Sequence, residues 1–573
     1  MKPRRSVSIA YLLPNWLQMP VLPIVVGNEI RAIFPAWLAA MLLVGAARLL
    51  GKGMDQHAVV VGYGFGCTAL GSIAAGHDFT HRTLGAMLSL PFPREQLWWT
   101  RLAVSLAGMA PLLVIAAVQV FVFSQAPAPD SIMGVVILAA PVLSGLFVAP
   151  WLTLLCRSPL AGTVFTVALP FLFWMVSELG ALARFGRDYN PSLETSSFKT
   201  GLFGLMLLAH WVVGAFFGWR KFMRLEAIDG RVGELRLPGW LSRTARAQHA
   251  PRPCQPGHPF GKLLKKELRL QQMALLVTGM FLLVWISLWE VHRLQPEFSS
   301  AFIDVGTLLY VGLLSLVIGS VASAEERQLG TAEWQVLMPV AAWKQWTVKV
   351  GVALGLAMLL AGLLPACVLK EVSWGTALKG SWLEETAVFA GVAAALATIS
   401  LYISSACASS LMAILVSLPI GAGFLALMAE AHHGYTNLLA ALRAHYGRVT
   451  FWEGLGDWPP VILLIGLLVL TLRFALVNHR FAERATGRIW RQLGCLIAYS
   501  ALCAAASFNF YFAYPRDRYS YRVEIPLSAT SSQTASFTVR ILPGMNPELL
   551  KRYGLVPPSS PPENSTNSTS SPK

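Results

Sequence analysis

The residues best placed to do chemistry in this chain are acids and hydroxyls that interrupt apolar runs. One set is Asp78, Thr83 and Pro91, followed by Trp98 and Arg101; the other is Glu325, Glu326, Gly330, Thr331, Glu333 and Pro339, followed by Trp346 and Lys349. Their chemistry is electrostatic. Carboxylates at a polar break complement the positive end of a helix that starts there, a proline stops that helix because it has no N–H for the next turn, and tryptophans beyond it suit a membrane headgroup layer. The usual catalytic sets are missing. There is no Gly-x-x-x-x-Gly-Lys-Ser/Thr loop to cradle phosphate and no Ser/His/Asp arrangement. The seven cysteines (Cys67, Cys156, Cys254, Cys367, Cys407, Cys495 and Cys503) show no C-x-x-C spacing, and most read as small buried hydrophobes. His432 and His433 are adjacent, so on a helix they point about 100° apart, and no carboxylate or thiolate cluster accompanies them. The chain is expected to have no catalysis, cofactor or metal of its own.

The two sets read as one stretch written twice. Gly71 and Gly319, Asp78 and Glu326, Thr83 and Thr331, Pro91 and Pro339, Trp98 and Trp346, and Arg101 and Lys349 are all separated by 248 residues, so the match needs no gap. Other fragments agree in order: Glu29-Ile30-Arg31 with Glu267-Leu268-Arg269, Ala168-Leu169-Pro170 with Ser417-Leu418-Pro419, and Trp219-Arg220-Lys221-Phe222 with Asn478-His479-Arg480-Phe481. A duplication of that size implies two similar modules.

Composition says what the modules are made of. Hydrophobic residues make up 55% and charged residues 13% of the chain, against about 25% charged in soluble domains. Continuous apolar runs near 20 residues recur, each long enough for a hydrocarbon core of about 30 Å, and their lack of alternation argues against a β-barrel. The expected class is an all-α polytopic membrane protein. Spans are expected at 34–50, 58–75, 102–124, 132–156, 160–183 and 201–219, then at 274–289, 304–324, 350–369, 384–405, 411–430 and 458–477. An additional C-terminal span is expected at 493–514. The two sets of six lie an even number of spans apart, so they form parallel tandem repeats and not inverted ones. The organisation is then 1–230 and 260–485 as membrane domains, 231–259 as a basic linker, 486–514 around the additional span, and 515–573 as a non-membrane tail.

Charge placement gives the topology. Lys2, Arg4 and Arg5 precede the first span, the linker region carries twelve Lys and Arg between Arg220 and Arg269, and Arg480, Arg484, Arg488 and Arg491 follow the twelfth span. All fall on one side, so the positive-inside rule makes the N-terminus cytoplasmic. The net charge of +16 is accordingly a topology signal, and nucleic acid is not expected as a partner. No cleavable signal peptide is visible.

The run Glu325-Glu326-Arg327-Gln328-Leu329-Gly330-Thr331-Ala332-Glu333, through Met338-Pro339 to Lys349, resembles the signature of type-2 ABC exporter permeases. The resemblance covers about residues 10–230 and 260–485. It implies that 325–338 is an amphipathic coupling helix lying under the bilayer and docking on a separate ABC ATPase subunit, two copies per chain. It further implies elbow helices at 16–31 and 260–272, short external helices within 184–199 and 432–457 (the latter including 436–446), and residence in a bacterial inner membrane among its lipids. The first copy is degenerate near 77–90: His77-Asp78-Phe79-Thr80-His81-Arg82-Thr83 has no acidic pair, and Arg82 stands where the family has Gly. The transported substrate is not encoded in any motif.

Four polar residues inside spans are candidates for lining a translocation path: Glu178, Glu430, His210 and Gln119. A charge at the bilayer centre costs at least ~2.5–3.5 kcal/mol, so such residues face cavities or cap span ends; Glu178 and Glu430 suit the outer ends best. In the tail, 521–526 and 536–541 alternate as short strands do, and the Pro/Ser/Asn/Thr-rich 557–573 is expected to be disordered. Two other classes compete with the permease: an ion-coupled secondary transporter, disfavoured by the scarcity of mid-span carboxylates, and an anchoring or assembly protein without transport activity.

Overall fold

The computed structural model describes residues 22–46, 55–81, 83, 93–121, 131–185, 193–225, 259–294, 300–331, 340–371, 382–446, 458–481, 486–513, 520–526 and 534–540. The first half contains α1 (Leu22–Ala46), α2 (Asp55–His81), α3 (Arg94–Phe121), α4 (Ser131–Leu143) joined to α5 (Ala149–Cys156) by a π-helical turn at Ser144–Val148, α6 (Pro159–Phe185) and α7 (Leu193–Met223). The second half contains α8 (Pro259–Leu270), α9 (Gln272–Leu294), α10 (Ser300–Gln328), α11 (Ala342–Leu356), a π-helical stretch at Ala357–Leu363, α12 (Leu364–Glu371), α13 (Trp382–Ala406), α14 (Ser410–Tyr446) and α15 (Trp458–His479). A further helix, α16 (Thr486–Ala513), precedes strands β1 (Ser520–Pro526) and β2 (Thr534–Arg540).

Among the described residues, eleven helices are long and apolar enough to cross a membrane, and a bent pair, Phe260–Leu270 with Gln272–Ser287, makes up to twelve. The chain is thus a polytopic helical membrane protein. α16 forms where an additional span was expected but is not among these helices. The alternation in the tail does become two strands, paired antiparallel with Val523 opposite Phe537.

Two expected breaks are absent. α1 runs through Pro35 without interruption, so residues 22–31 of the expected first elbow are continuous with its span, while 16–21 lie outside the described residues. α14 continues to Tyr446, so 436–446 extends the eleventh span and is not an external helix of its own. In the second half the elbow is real: α8 meets α9 at 51°. At that bend Gln271 turns its amide into the fold and donates to the Ile318 carbonyl at 3.0 Å.

By contact the chain divides into two compact units, one of Met1–Phe424 with Leu468–Gln492, the other of Leu425–Leu467 with Leu493–Lys573. In the second unit, Tyr499 donates to the Leu463 carbonyl at 2.9 Å. In the first unit, one core joins residues of both halves: Ala40, Leu70, Met109 and Leu112 pack with Val317, Val321, Leu411 and Ile414. α2 and α10 are its innermost helices. In their spanning windows 83% and 78% of residues are buried, against 56% or less in every other span. Glycine allows this close packing. A Cβ on Gly71 would collide with the Gly145 carbonyl, and one on Gly319 with the Ala397 carbonyl, so each helix meets a neighbour backbone to backbone at that point.

Candidate functional site

α2 and α10 end in the same way. The Thr83 N–H donates to the Asp78 carbonyl at 3.0 Å, and the Thr331 N–H to the Glu326 carbonyl at 2.9 Å. After α10 the chain turns through Gly330, whose φ of 69° lies in the left-handed region, while the Gly330 N–H donates to the Arg327 carbonyl at 3.1 Å. These two bonds form the Schellman pattern that satisfies the last carbonyls of a helix. The Gly-Thr of the sequence signature is thus a helix stop. The threonine hydroxyls add a bond each: Thr83 Oγ1 donates to Asp78 Oδ1 at 2.9 Å, and Thr331 Oγ1 to the Glu326 carbonyl at 3.1 Å.

This corrects one expectation. Glu325 and Glu326 do not open a new helix; they lie in the last turns of α10, as Asp78 does in α2. A carboxylate there faces the negative end of the helix dipole, and burial removes the water that would solvate it. It needs a cation or a hydrogen-bond donor beside it, and Asp78 and Glu326 each have a cation.

In the first cluster Arg101 of α3 lies between two acids. Its Nε donates to Glu29 Oε1 on α1 at 3.0 Å, and its Nη2 donates to Asp78 Oδ2. All three side chains are at most 9% exposed. Glu29 Oε2 has no hydrogen-bond partner. His77 Nδ1 is 3.9 Å from Asp78, and Phe222 lies under the guanidinium at 5.7 Å. Phe79, Leu97, Trp98, Leu154 and Phe222 pack as an apolar cluster beside it.

In the second cluster Lys349 of α11 lies between Glu267 on α8 and Glu326 on α10. Its Nζ donates to Glu326 Oε2 and, at 2.5 Å, to the Ala322 carbonyl, and stands 3.7 Å from Glu267 Oε1. Lys349, Glu267 and Glu326 are all buried. A second cation, Lys266, donates to Glu326 Oε1 at 2.6 Å. Leu263, Val348 and Val352 pack alongside. Three residues before each cation, a tryptophan meets a ring near the end of the sixth or twelfth span: Trp98 with Phe222 at 5.2 Å, Trp346 with His479 at 5.3 Å.

Sequence reasoning placed Asp78 and Glu326 at the breaks but missed four of their partners, Glu29, Arg101, Glu267 and Lys349. The signal existed: Arg101 and Lys349 keep the 248-residue offset, and Glu29 and Glu267 start matching tripeptides. Glu325 does not join the cluster. Its Oε2 accepts from Ser410 on α14 at 3.1 Å. Glu333, Pro339 and Pro91, with the expected coupling helix around the first two, lie outside the described residues.

The candidates for a path are in separate settings. Glu178 on α6 is buried and takes both its oxygens to Lys199 on α7, at 3.1 and 3.2 Å. That ion pair ties two span ends together. His210 on α7 is buried with its Nε2 unpartnered and packs edge-on to Phe173 at 5.1 Å. Gln119 on α3 has a buried Oε1 without a partner. Glu430 falls within α14, its side chain outside the described residues. No group of three or more metal-ligating side chains occurs among the described residues.

No family model, curated protein or solved structure matches this chain.

Proposed function

We propose that this chain is the membrane-spanning permease subunit of an ATP-driven exporter, built from two parallel six-span modules and driven by two copies of a separate ABC ATPase. The observation that carries the reading is the pair of buried acid–cation clusters. They sit at the ends of the two innermost helices, where the signature residues Asp78, Thr83, Glu326 and Thr331 lie in register.

The geometry suits a transmission element. The segment from Ala332 to Pro339 connects α10 to α11. A force applied to it reaches both helices at once, and Lys349 clamps them together through Glu326, with Glu267 bringing in α8. Within α10, Ser404 of α13 enters the helical ladder: its Oγ accepts from the Ser323 and Ala324 N–H groups and donates to the Ser320 carbonyl at 2.8 Å. A push at the foot of α10 is therefore shared with α13 instead of being absorbed by bending. Packed cores pass on such displacements because they have discrete arrangements and low compressibility. Under the positive-inside rule both clusters lie at the cytoplasmic face. Glu325, Glu326, Gly330, Thr331, Glu333 and Pro339, with Asp78, Thr83 and Pro91, then form or support the two docking levers; Glu333 is the acid expected to meet the ATPase directly.

The test is co-purification of the full chain with its ATPase. Glu333→Lys is expected to lower ATPase recruitment about tenfold or more, because a reversed charge at a docking surface is repelled. Unchanged recruitment by Glu333→Lys, or purification of the native chain with no ATPase attached, would contradict the proposal.

A further inference from the structure

A groove of about 600 Å³ runs between α8 and α11. On α8 it is lined by Phe260, Leu264 and Leu268, spaced four apart and so on one face of the helix. On α11 it is lined by Val352 and Leu356 and by two glycines, Gly351 and Gly355. A Cβ added at either glycine would meet nothing within 4 Å. The groove therefore runs past two missing side chains and is open to an occupant. Its polar end carries Lys344 and Thr347 beside Trp343, with Lys344 Nζ 5.6 Å from the Trp343 ring.

The exposed charges on the two bounding helices have one sign. On α8, Lys262, Lys265 and Arg269 are exposed, while the acid of that helix, Glu267, is buried. α11 has no acid, and its exposed charge is Lys344. An apolar slot ending in a tryptophan and a lysine matches a lipid in layout: chain in the slot, glycerol region at the aromatic ring, phosphate at the ammonium. A zwitterionic headgroup would bring its own cation into this positive surround. A net-negative one would not.

We propose that this groove holds an acyl chain of an acidic phospholipid, with the headgroup phosphate against Lys344. The inference does not rest on the permease reading, and its readout needs no ATPase. The test uses the full chain in phosphatidylcholine vesicles doped with phosphatidylglycerol bearing a photoactivatable acyl chain, or with phosphatidylcholine bearing the same chain, and maps adducts by peptide mass spectrometry. Phosphatidylglycerol adducts are expected on α8 and α11 in preference to phosphatidylcholine adducts. Lys344→Ala, an exposed change that leaves packing intact, is expected to lower that preference about fivefold, the effect of one surface cation on an anionic lipid. Gly351→Phe with Gly355→Phe fills the groove and should abolish the adducts, whereas Gly279→Phe, at an open position on α9, should leave them. Equal labelling by the two lipids, or adducts that survive the groove-filling pair, would overturn the proposal.

Discussion

The two acid–cation clusters use the same layout with different chemistry. In the first, one guanidinium serves two carboxylates, and Glu29 Oε2 is left without a donor. In the second, two ammonium groups serve two carboxylates, and Lys349 also takes a backbone carbonyl. Counting arginine, lysine and carboxylate groups alone, the first cluster has two acids to one cation and the second has two to two. Arginine suits the unbalanced site because its planar fork reaches two carboxylates at once; lysine suits the balanced one because its compact ammonium can be shared among several acceptors. The lesson is that the layout, two acids from an N-terminal helix and a span end meeting one cation from the next span, matters more than the identity of the cation.

Removing the cation should separate the clusters most widely. Arg101→Met leaves Glu29 and Asp78 buried without their counter-ion, and a buried pair broken on one side costs about 3–5 kcal/mol. Lys349→Met leaves Lys266 on Glu326, so the loss should be smaller, about 1.5–3 kcal/mol, the value of a charge-assisted hydrogen bond. Both are measurable as shifts in the denaturant or thermal unfolding of the solubilised chain. Equal losses would break the comparison, since they would mean Lys266 contributes nothing to the balance. Removing an acid should have the smallest effect where acid is in excess. Glu29→Gln leaves Asp78 and Arg101 as a matched pair and keeps an oxygen for Arg101 Nε, so its cost should stay within about 1 kcal/mol. Glu326→Gln, which leaves two cations against Glu267, should cost more in the same assay.

The membrane-helix class, most span positions and the doubled break were legible in the residues, because apolar runs and a gapless offset are local features of the chain. The clusters were not. Glu29 and Arg101 are 72 residues apart, and their meeting depends on which faces of α1 and α3 turn inward, which a one-dimensional pattern does not contain. Glu325 and Glu326 were read as opening a helix because acids favour that end. They close one instead: the chain turns out of the helix at Gly330, Lys349 and Lys266 neutralise Glu326, and Ser410 donates to Glu325. Continuity was also hidden. α1 carries residues 22–31 of the expected elbow straight into the span, and the polar residues after Glu430 do not end α14.

The central claim is that the two breaks lie on one face of the membrane and receive force from the same side. It is tested most directly by replacing Thr83 and Thr331, one at a time, with cysteine in a chain cleared of its other cysteines, and labelling with a membrane-impermeant maleimide in vesicles of known orientation. Both positions are predicted to react only when the cytoplasmic face is outside. Reaction of one from each face would contradict the account.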